Sequence, residues 1–322
     1  MTGATGCIGA NVAVALLARG YEVHALRRAR SSLEALDGLD VTLVCGDVLD
    51  PPSLAAAMAG CALVFHVAAV SDYWRTPAER IYQVNVTGTR YVLEAALHAR
   101  VERLVYTSSS GALGVPSGQA LLDESAPFNL RPEQFPYGHS KHLAEQAVQE
   151  AIEAGLDAVI VNPTAVMGAR DVHFIGGSLL RAAKRGLTLV APPGGLNWVD
   201  AQSVGEGHVL AAERGRTGQR YILGGENLPH RHALETVAAV VGGRGPLLTL
   251  PRAAMGAIAW LADRAGALWP GTAPFNGQQA RMSALELYYD CRRAQEELGF
   301  ASVPFRAAVE RAYAWYREYG YL

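Results

Sequence analysis

At 322 residues the chain is long enough for one large domain or two medium ones, each with a substantial core. A formal charge of -2 with 50% hydrophobic residues leaves no charge excess to hold nucleic acid or an anionic membrane surface, and small neutral metabolites fit better as ligands. Cys7, Cys45, Cys61 and Cys291 show no C-x-x-C spacing and read as reduced, structural thiols of a cytoplasmic protein.

The chain opens on Thr2-Gly3-Ala4-Thr5-Gly6-Cys7-Ile8-Gly9, a turn of the form T-G-x-x-G-x-x-G. In a doubly wound sheet such a turn joins the first strand to the first helix, and its glycines let backbone approach a pyrophosphate at the helix N-terminus. Asn11 to Leu17 with Gly20 reads as that helix, and Tyr21 to Leu26 as the next strand. The strand expected ahead of the turn is missing, with Met1 in the place of its last residue; we expect the natural protein to begin several residues upstream.

Arg27-Arg28 ends the second strand, where a cofactor places its adenosine ribose. A cation there pairs with the 2′-phosphate of NADP, where an acid would accept from the ribose hydroxyls of NAD. Val41 to Cys45, Leu63 to Val67, Arg103 to Thr107 and Ala158 to Val161 are β-branched-rich runs suited to buried parallel strands. The helical stretches Pro52 to Met58, Ile81 to Ala99 and Ser140 to Glu153 separate them. Gly46-Asp47-Val48 and Val67-Ala68-Ala69 follow successive strands at their carboxyl ends, where open α/β sheets bind ligands. Asp47 and Val48 suit the adenine, and the small Val67, Ala68 and Ala69 suit the nicotinamide ribose.

Ser108-Ser109-Ser110 follows another strand, and Tyr137-Gly138-His139-Ser140-Lys141 enters a helix. Positions 137 and 141 share a helix face, so the ammonium group is expected below the phenol, lowering its pKa from about 10. Tyr137 then transfers a proton while a serine hydroxyl polarises the reacting carbonyl. Trp74, Met167 and Trp198 are candidates for an apolar substrate pocket, with Tyr73 beside Trp74.

After Pro163 the pattern loosens. Tyr221-Ile222-Leu223 reads as a strand returning to the sheet, and later helices start near His232 and at Phe305. The most apolar stretch, Met255 to Trp269, contains Asp263 and Arg264 and falls short of the roughly 20 residues of a membrane span. It reads as a core or lid helix, the alternative being an apolar lining for a substrate's path. His230-Arg231-His232 reads as a helix-entry loop, and no metal site is expected. The expected architecture is therefore α/β: a doubly wound parallel Rossmann sheet over 1–165, rejoined by 196–225. A smaller, mostly helical substrate-binding part covers 166–195 and 226–322.

Taken in order, the glycine turn, Gly46-Asp47-Val48, Phe65 to Ala69, Asn85 to Thr89, Val105 to Ser109, Tyr137 to Lys141, Asn162-Pro163 and Tyr221 to Gly225 resemble the extended short-chain dehydrogenase/reductase superfamily. Within this NAD-dependent epimerase/dehydratase superfamily they are similar to the branch of dihydroflavonol 4-reductase-like and hopanoid-associated epimerase-like proteins. The resemblance implies that Tyr137 is the acid, that Lys141 holds the ribose and tunes the tyrosine, and that Ser109 binds the substrate oxygen. It also implies that Asn85 braces the active-site helix, that Arg28 meets the 2′-phosphate, and that Thr107 and Pro163 border the cofactor with the turn residues Gly3, Thr5, Gly6, Cys7, Ile8 and Gly9.

One departure bears on the substrate. Nucleotide-sugar members carry R-x-[YF]-x-H-V-x-D, whereas this chain reads Leu196-Asn197-Trp198-Val199-Asp200-Ala201-Gln202-Ser203. The diphosphate-binding arginine is replaced by leucine, although Arg170 or Arg281 could substitute. The leading reading is an NADP(H)-dependent reductase of a ketone or aldehyde, or the reverse oxidation, with NAD as the other cofactor. The alternatives are an NAD-dependent sugar epimerase or dehydratase, and a non-catalytic NADP sensor. A homodimer through Ile81 to Ala99 and Ser140 to Glu153 is open; the expected partner is a small-molecule substrate.

Overall fold

The computed structural model describes residues 1–74, 76–116, 118, 121–268 and 277–322. Six short parallel segments build the main sheet. β1 (His24–Arg27) pairs β2 (Thr42–Cys45), and β3 (Leu63–His66), β4 (Arg103–Thr107), β5 (Ala158–Pro163) and the later strand Arg220–Leu223 pair in that order. Met1 and Thr2 stand between the two groups. The Leu26 amide donates to Met1 O at 2.9 Å, and Thr2 exchanges backbone bonds with Phe65 and Val67. The central slot is thus held by bridges rather than by a strand.

Helices cover both faces, as a parallel sheet requires. On one face α1 (Cys7–Ala18) packs with the later helix Ala201–Arg214 around Val12, Leu16, Val159 and Val204. Their approach is close enough that a Cβ on Gly205 would collide with the Asn11 backbone. On the other face α2 (Pro51–Met58), the helix running from Ala78 to Ala99, and α5 (Pro136–Glu153) enclose Leu54, Val92, Leu104 and Val148. The middle helix comprises α3 (Ala78–Tyr82), a π-helical stretch Gln83–Thr87 and α4 (Gly88–Ala99). Such wide turns recur at functional sites. Pro136 at the start of α5 suits a first helical position, so Tyr137 lies within the helix, one turn before Lys141.

The remaining elements form a second layer. β6 (Ala165–Met167) runs parallel to β8 (Gly195–Asp200), which pairs antiparallel with β10 (Glu226–Pro229) and parallel with β12 (Glu286–Leu287). β7 (Val190–Ala191) and β11 (Leu248–Thr249) make a separate two-stranded ribbon; β9 is the Arg220–Leu223 strand of the main sheet. α6 (Gly177–Lys184), α8 (His230–Val241) and α11 (Phe305–Glu318) close a core of Met167, Leu180, Val237, Phe305 and Tyr316. α7 is the Ala201–Arg214 helix, and α9 (Met255–Leu268) packs on α10 (Gly277–Met282) through Met255, Ala259 and Ala280. Trp269 lies outside the described residues. Among them, no helix is long and apolar enough to cross a membrane.

Candidate active site

The three turn glycines serve different ends. Gly3 has φ +72°, and a Cβ there would lie 2.5 Å from the Ala68 amide nitrogen. One at Gly9 would strike the Gly3 carbonyl. Both are therefore demanded by the chain's own packing. At Gly6 an added Cβ would meet only the Gly3 carbonyl, at 3.5 Å. Gly6 is the N-cap of α1, whose first turn, opening on Cys7 and Ile8, carries no acid. Free amide groups and a positive dipole end facing open space suit a pyrophosphate, so the residues present fit a dinucleotide. Thr5 belongs to the same half-buried turn.

Around this turn the other expected residues fall at the carboxyl ends of the strands. Arg27 and Arg28 close β1; Arg27 is half-buried and donates to the Ala29 carbonyl at 3.0 Å, while Arg28 is exposed. Asp47 accepts from the Leu49 amide at 3.0 Å, and the buried Val48 packs against Gly88. Val67 and Ala68 bond to Thr2, with Ala69 next in the same loop. Pro163 is buried at the end of β5 beside Leu223.

Ser109 follows β4 and caps a short 3₁₀ turn, its hydroxyl accepting from the Gly111 amide at 3.1 Å. The Tyr137 phenol lies beside this hydroxyl, which acts to lower its pKa. Asn162 on β5 fixes the Ser109 backbone by donating to its carbonyl at 3.0 Å. Tyr137 is walled by aromatic rings: Tyr73 stacks on it at 5.5 Å and 18°, and Phe135 meets both rings edge-on. Trp74 stands edge-on to Tyr73 at 5.2 Å. Burial pushes the Tyr73 phenol up to about 12, with Tyr137 adding to the rise.

The expected depression of the Tyr137 pKa is not what the structure shows. Burial raises it, and the Ser109 hydrogen bond offsets only part. The reason lies in where Lys141 points. Its ammonium donates to the Thr107 carbonyl at 2.8 Å and to the Tyr106 hydroxyl at 3.4 Å. Lys141 is 2% exposed, and burial lowers it from 10.5 to about 7, with Glu145 opposing the shift. Glu145, one further turn along α5, is buried and pushed upward by desolvation. It accepts from Asn162 at 2.7 Å and pairs with Arg220 at 3.3 Å. Burial thus drives both Lys141 and Glu145 toward neutrality.

Asn85, in the π-helical stretch, accepts from the Val70 amide at 2.7 Å and donates to the Val70 carbonyl and to Ser140 Oγ. Ser140 in turn donates to the Tyr137 carbonyl at 2.7 Å, so Asn85 ties the loop after β3 to the helix that carries Tyr137 and Lys141. A second network was not read from the sequence. His66 Nδ1 contacts Thr2 Oγ1 at 2.8 Å and Nε2 contacts Thr89 Oγ1 at 3.0 Å, while Thr89 donates to the Asn85 carbonyl at 2.6 Å. Burial and the Lys141 charge hold His66 down at about 3, hence neutral. Thr107 also contacts His208 Nε2 on α7 at 2.8 Å. His208 Nδ1 lies 2.7 Å from the Val204 carbonyl and so carries the proton, leaving Nε2 to accept.

Other expectations change. Met167 is 1% exposed within the α6–α8–α11 core. Trp198 packs on Phe305 at 4.9 Å in the same core. Arg170 donates to the Ala35 and Asp37 carbonyls, and Arg281 is paired with Asp263 at 3.0 Å. Both therefore already have partners within the chain. His139 contacts Tyr82 at 2.9 Å and packs against Phe128. His230 and His232 open α8, and all four cysteines are free.

Residues 1–224 match the sequence model of the NAD dependent epimerase/dehydratase family. Among curated proteins the chain is 37% identical over 328 residues to a putative dihydroflavonol 4-reductase of Synechocystis sp., covering 100% of this chain and 95% of that one. It is 34% identical to the sterol demethylase protein B of Methylococcus capsulatus, covering 99% and 98%. The crystal structure of gox2253 superposes with a TM-score of 0.88 at 34% identity, covering 100% and 98% of the two chains.

Proposed function

From the premise that the chain belongs to the NAD dependent epimerase/dehydratase family and is an NAD(P)-dependent oxidoreductase, we propose that it uses NADP(H) to reduce the carbonyl of a small, weakly charged substrate, or runs the reverse oxidation. The observation that carries this reading is the Tyr137 phenol set beside Ser109 and against the Tyr73–Phe135 aromatic wall. When bound, the nicotinamide supplies or takes the hydride. Gly3 to Gly9 hold the pyrophosphate, Arg27 and Arg28 the 2′-phosphate, and Lys141 with Thr107 the ribose.

Tyr137 Oη delivers its proton to the substrate oxygen, and Ser109 Oγ donates a hydrogen bond to that atom. A phenol raised by burial holds its proton at neutral pH and is set to act as an acid. Tyr73 and Phe135 keep water from the reacting carbonyl. Asn85 positions the helix that carries Tyr137 and Lys141.

Leu196 in place of the diphosphate-binding arginine supports a substrate without a diphosphate, against the sugar epimerase or dehydratase reading. The relative named a dihydroflavonol 4-reductase agrees with it. The test is parallel titration with NADPH and NADH, followed by tryptophan quenching. We expect at least a ten-fold preference for NADPH, abolished in Arg27→Ala/Arg28→Ala, and then net NADPH consumption in a carbonyl screen. Equal affinities with no net consumption would transfer the case to the epimerase reading.

A further inference from the structure

The overall charge is near zero, but its distribution is not even. Between Asp171 and Asp200, and again between Glu235 and Asp263, the chain contains no acidic residue, while Arg181, Lys184, Arg185, Arg244 and Arg252 fall in those two stretches. The fold brings the stretches together. β7 pairs β11 with Val190 opposite Leu248, the Leu247 amide donates to the Leu189 carbonyl, and Gly243 rests against the backbone of Ala183 and Lys184.

At this edge the apolar side chains face outward. Leu187 is 71% exposed, Leu247 75%, Leu248 50%, Val190 43% and Leu189 38%. Lys184, Arg185 and Arg244 are exposed beside them. Glu235 on α8 and Glu286 on β12 are already engaged, with Arg231 at 2.9 Å and with Arg252 at 2.6 Å. Further along the same segment, α9 presents Trp260 and Leu261, each more than half exposed, with the Arg264 guanidinium 5.0 Å over the indole.

A contiguous outward patch of this kind marks an interaction surface. Aliphatic side chains ringed by cations suit insertion at the headgroup level of a membrane. A second copy is disfavoured by the same charges, because a two-fold interface sets a patch against itself and would bring Lys184, Arg185 and Arg244 toward their own equivalents. We propose that the β7–β11 ribbon docks the protein on an anionic lipid surface, lying on the membrane without crossing it. Leu187, Leu247 and Leu248 enter the interface, and Lys184, Arg185 and Arg244 meet the phosphates. Each such cation strengthens attachment about five-fold. The proposal does not depend on the substrate or cofactor.

The test is flotation of the full chain with vesicles of phosphatidylcholine alone, and of phosphatidylcholine mixed equally with phosphatidylglycerol. We expect capture by the mixed vesicles, weakened by salt, with little capture by the neutral ones. Leu247→Asp/Leu248→Asp and Lys184→Glu/Arg185→Glu should each reduce capture at least ten-fold while thermal midpoint and near-ultraviolet circular dichroism stay at wild-type values. Absence of capture overturns the proposal, as does capture unchanged in both variants. So does a concentration-dependent dimer that Leu247→Asp/Leu248→Asp dissolves, since a second copy would then cover the patch.

Discussion

Replacing Lys141 by methionine should inactivate the protein and stabilise it. The side chain is 2% exposed, and burial lowers its pKa from 10.5 to about 7. At roughly 1.4 kcal/mol per pH unit, that is a cost of up to about 5 kcal/mol for keeping the ammonium charged in the fold. Below pH 7 both the folded and unfolded chains carry the proton, so the cost is present in full. Between about 7 and 10.5 the folded chain releases the proton while the unfolded chain keeps it, and this group's contribution to stability rises with pH. Methionine fills similar space without charge, and Glu145 retains Arg220 and Asn162, so no acid is stranded. The Thr107 carbonyl loses its donor, at a cost of about 1 to 3 kcal/mol. The net expectation is a gain of roughly 1 to 3 kcal/mol at pH 6.5, shrinking to nothing or reversing near pH 10. The assay is urea unfolding of both proteins across that range, without nucleotide. Parallel stability curves would refute the assigned burial cost, and a variant less stable at pH 6.5 would show that the ammonium is a net stabiliser.

Tyr137→Phe should lower turnover by about 10²- to 10⁴-fold while leaving NADPH affinity within two-fold, by steady-state kinetics and quenching; undiminished turnover would remove Tyr137 from the chemistry. Gly6→Ala should fold with a normal thermal midpoint yet bind nucleotide poorly, whereas Gly9→Ala should fail to accumulate as folded protein; melting curves with and without NADPH separate the two. His66 and His208 are held by burial at about 3 and about 4. As pH falls below 6.5 the unfolded chain takes up protons that these histidines refuse in the fold, so stability should drop between pH 6 and 4. The drop should approach about 1.4 kcal/mol per pH unit for each, and His208→Gln should flatten part of it.

The pieces of the site legible in the sequence are those whose residues are neighbours along the chain. The glycine turn and the Tyr137–Lys141 pair each lie within one turn of backbone, so spacing alone puts them on one face. Glu145 obeys the same rule, at one more turn from Lys141, and could have been read. The Thr2–His66–Thr89 and Thr107–His208 contacts join residues 23 to 101 positions apart, and no local pattern signals which partner a buried histidine finds. The direction of the Tyr137 shift was lost for a related reason. Helix spacing locates Lys141 near the phenol, but the ammonium's partners are the Thr107 carbonyl and Tyr106 hydroxyl on a strand that spacing does not reveal. Met167 and Trp198 fill a core, and apolar residues read alike in a sequence whether they line a cavity or fill one.

The π-helical stretch Gln83–Thr87 has a mechanical consequence. A wide turn accommodates one residue more than an α-helical turn, and each residue of an α-helix advances the chain by about 100°. Removing a single residue here would let the helix close into a regular spiral, leaving Asn85 out of phase with Thr89 and Val92. Val92 would then turn from the sheet, or Asn85 would release Val70 and Ser140; the hydrophobic core and the active-site brace could not both be kept. The extra residue works as a shim between two parts of the molecule with incompatible angular demands. Single-residue deletions between 83 and 87 should therefore be far less tolerated than point substitutions at the exposed Gln83.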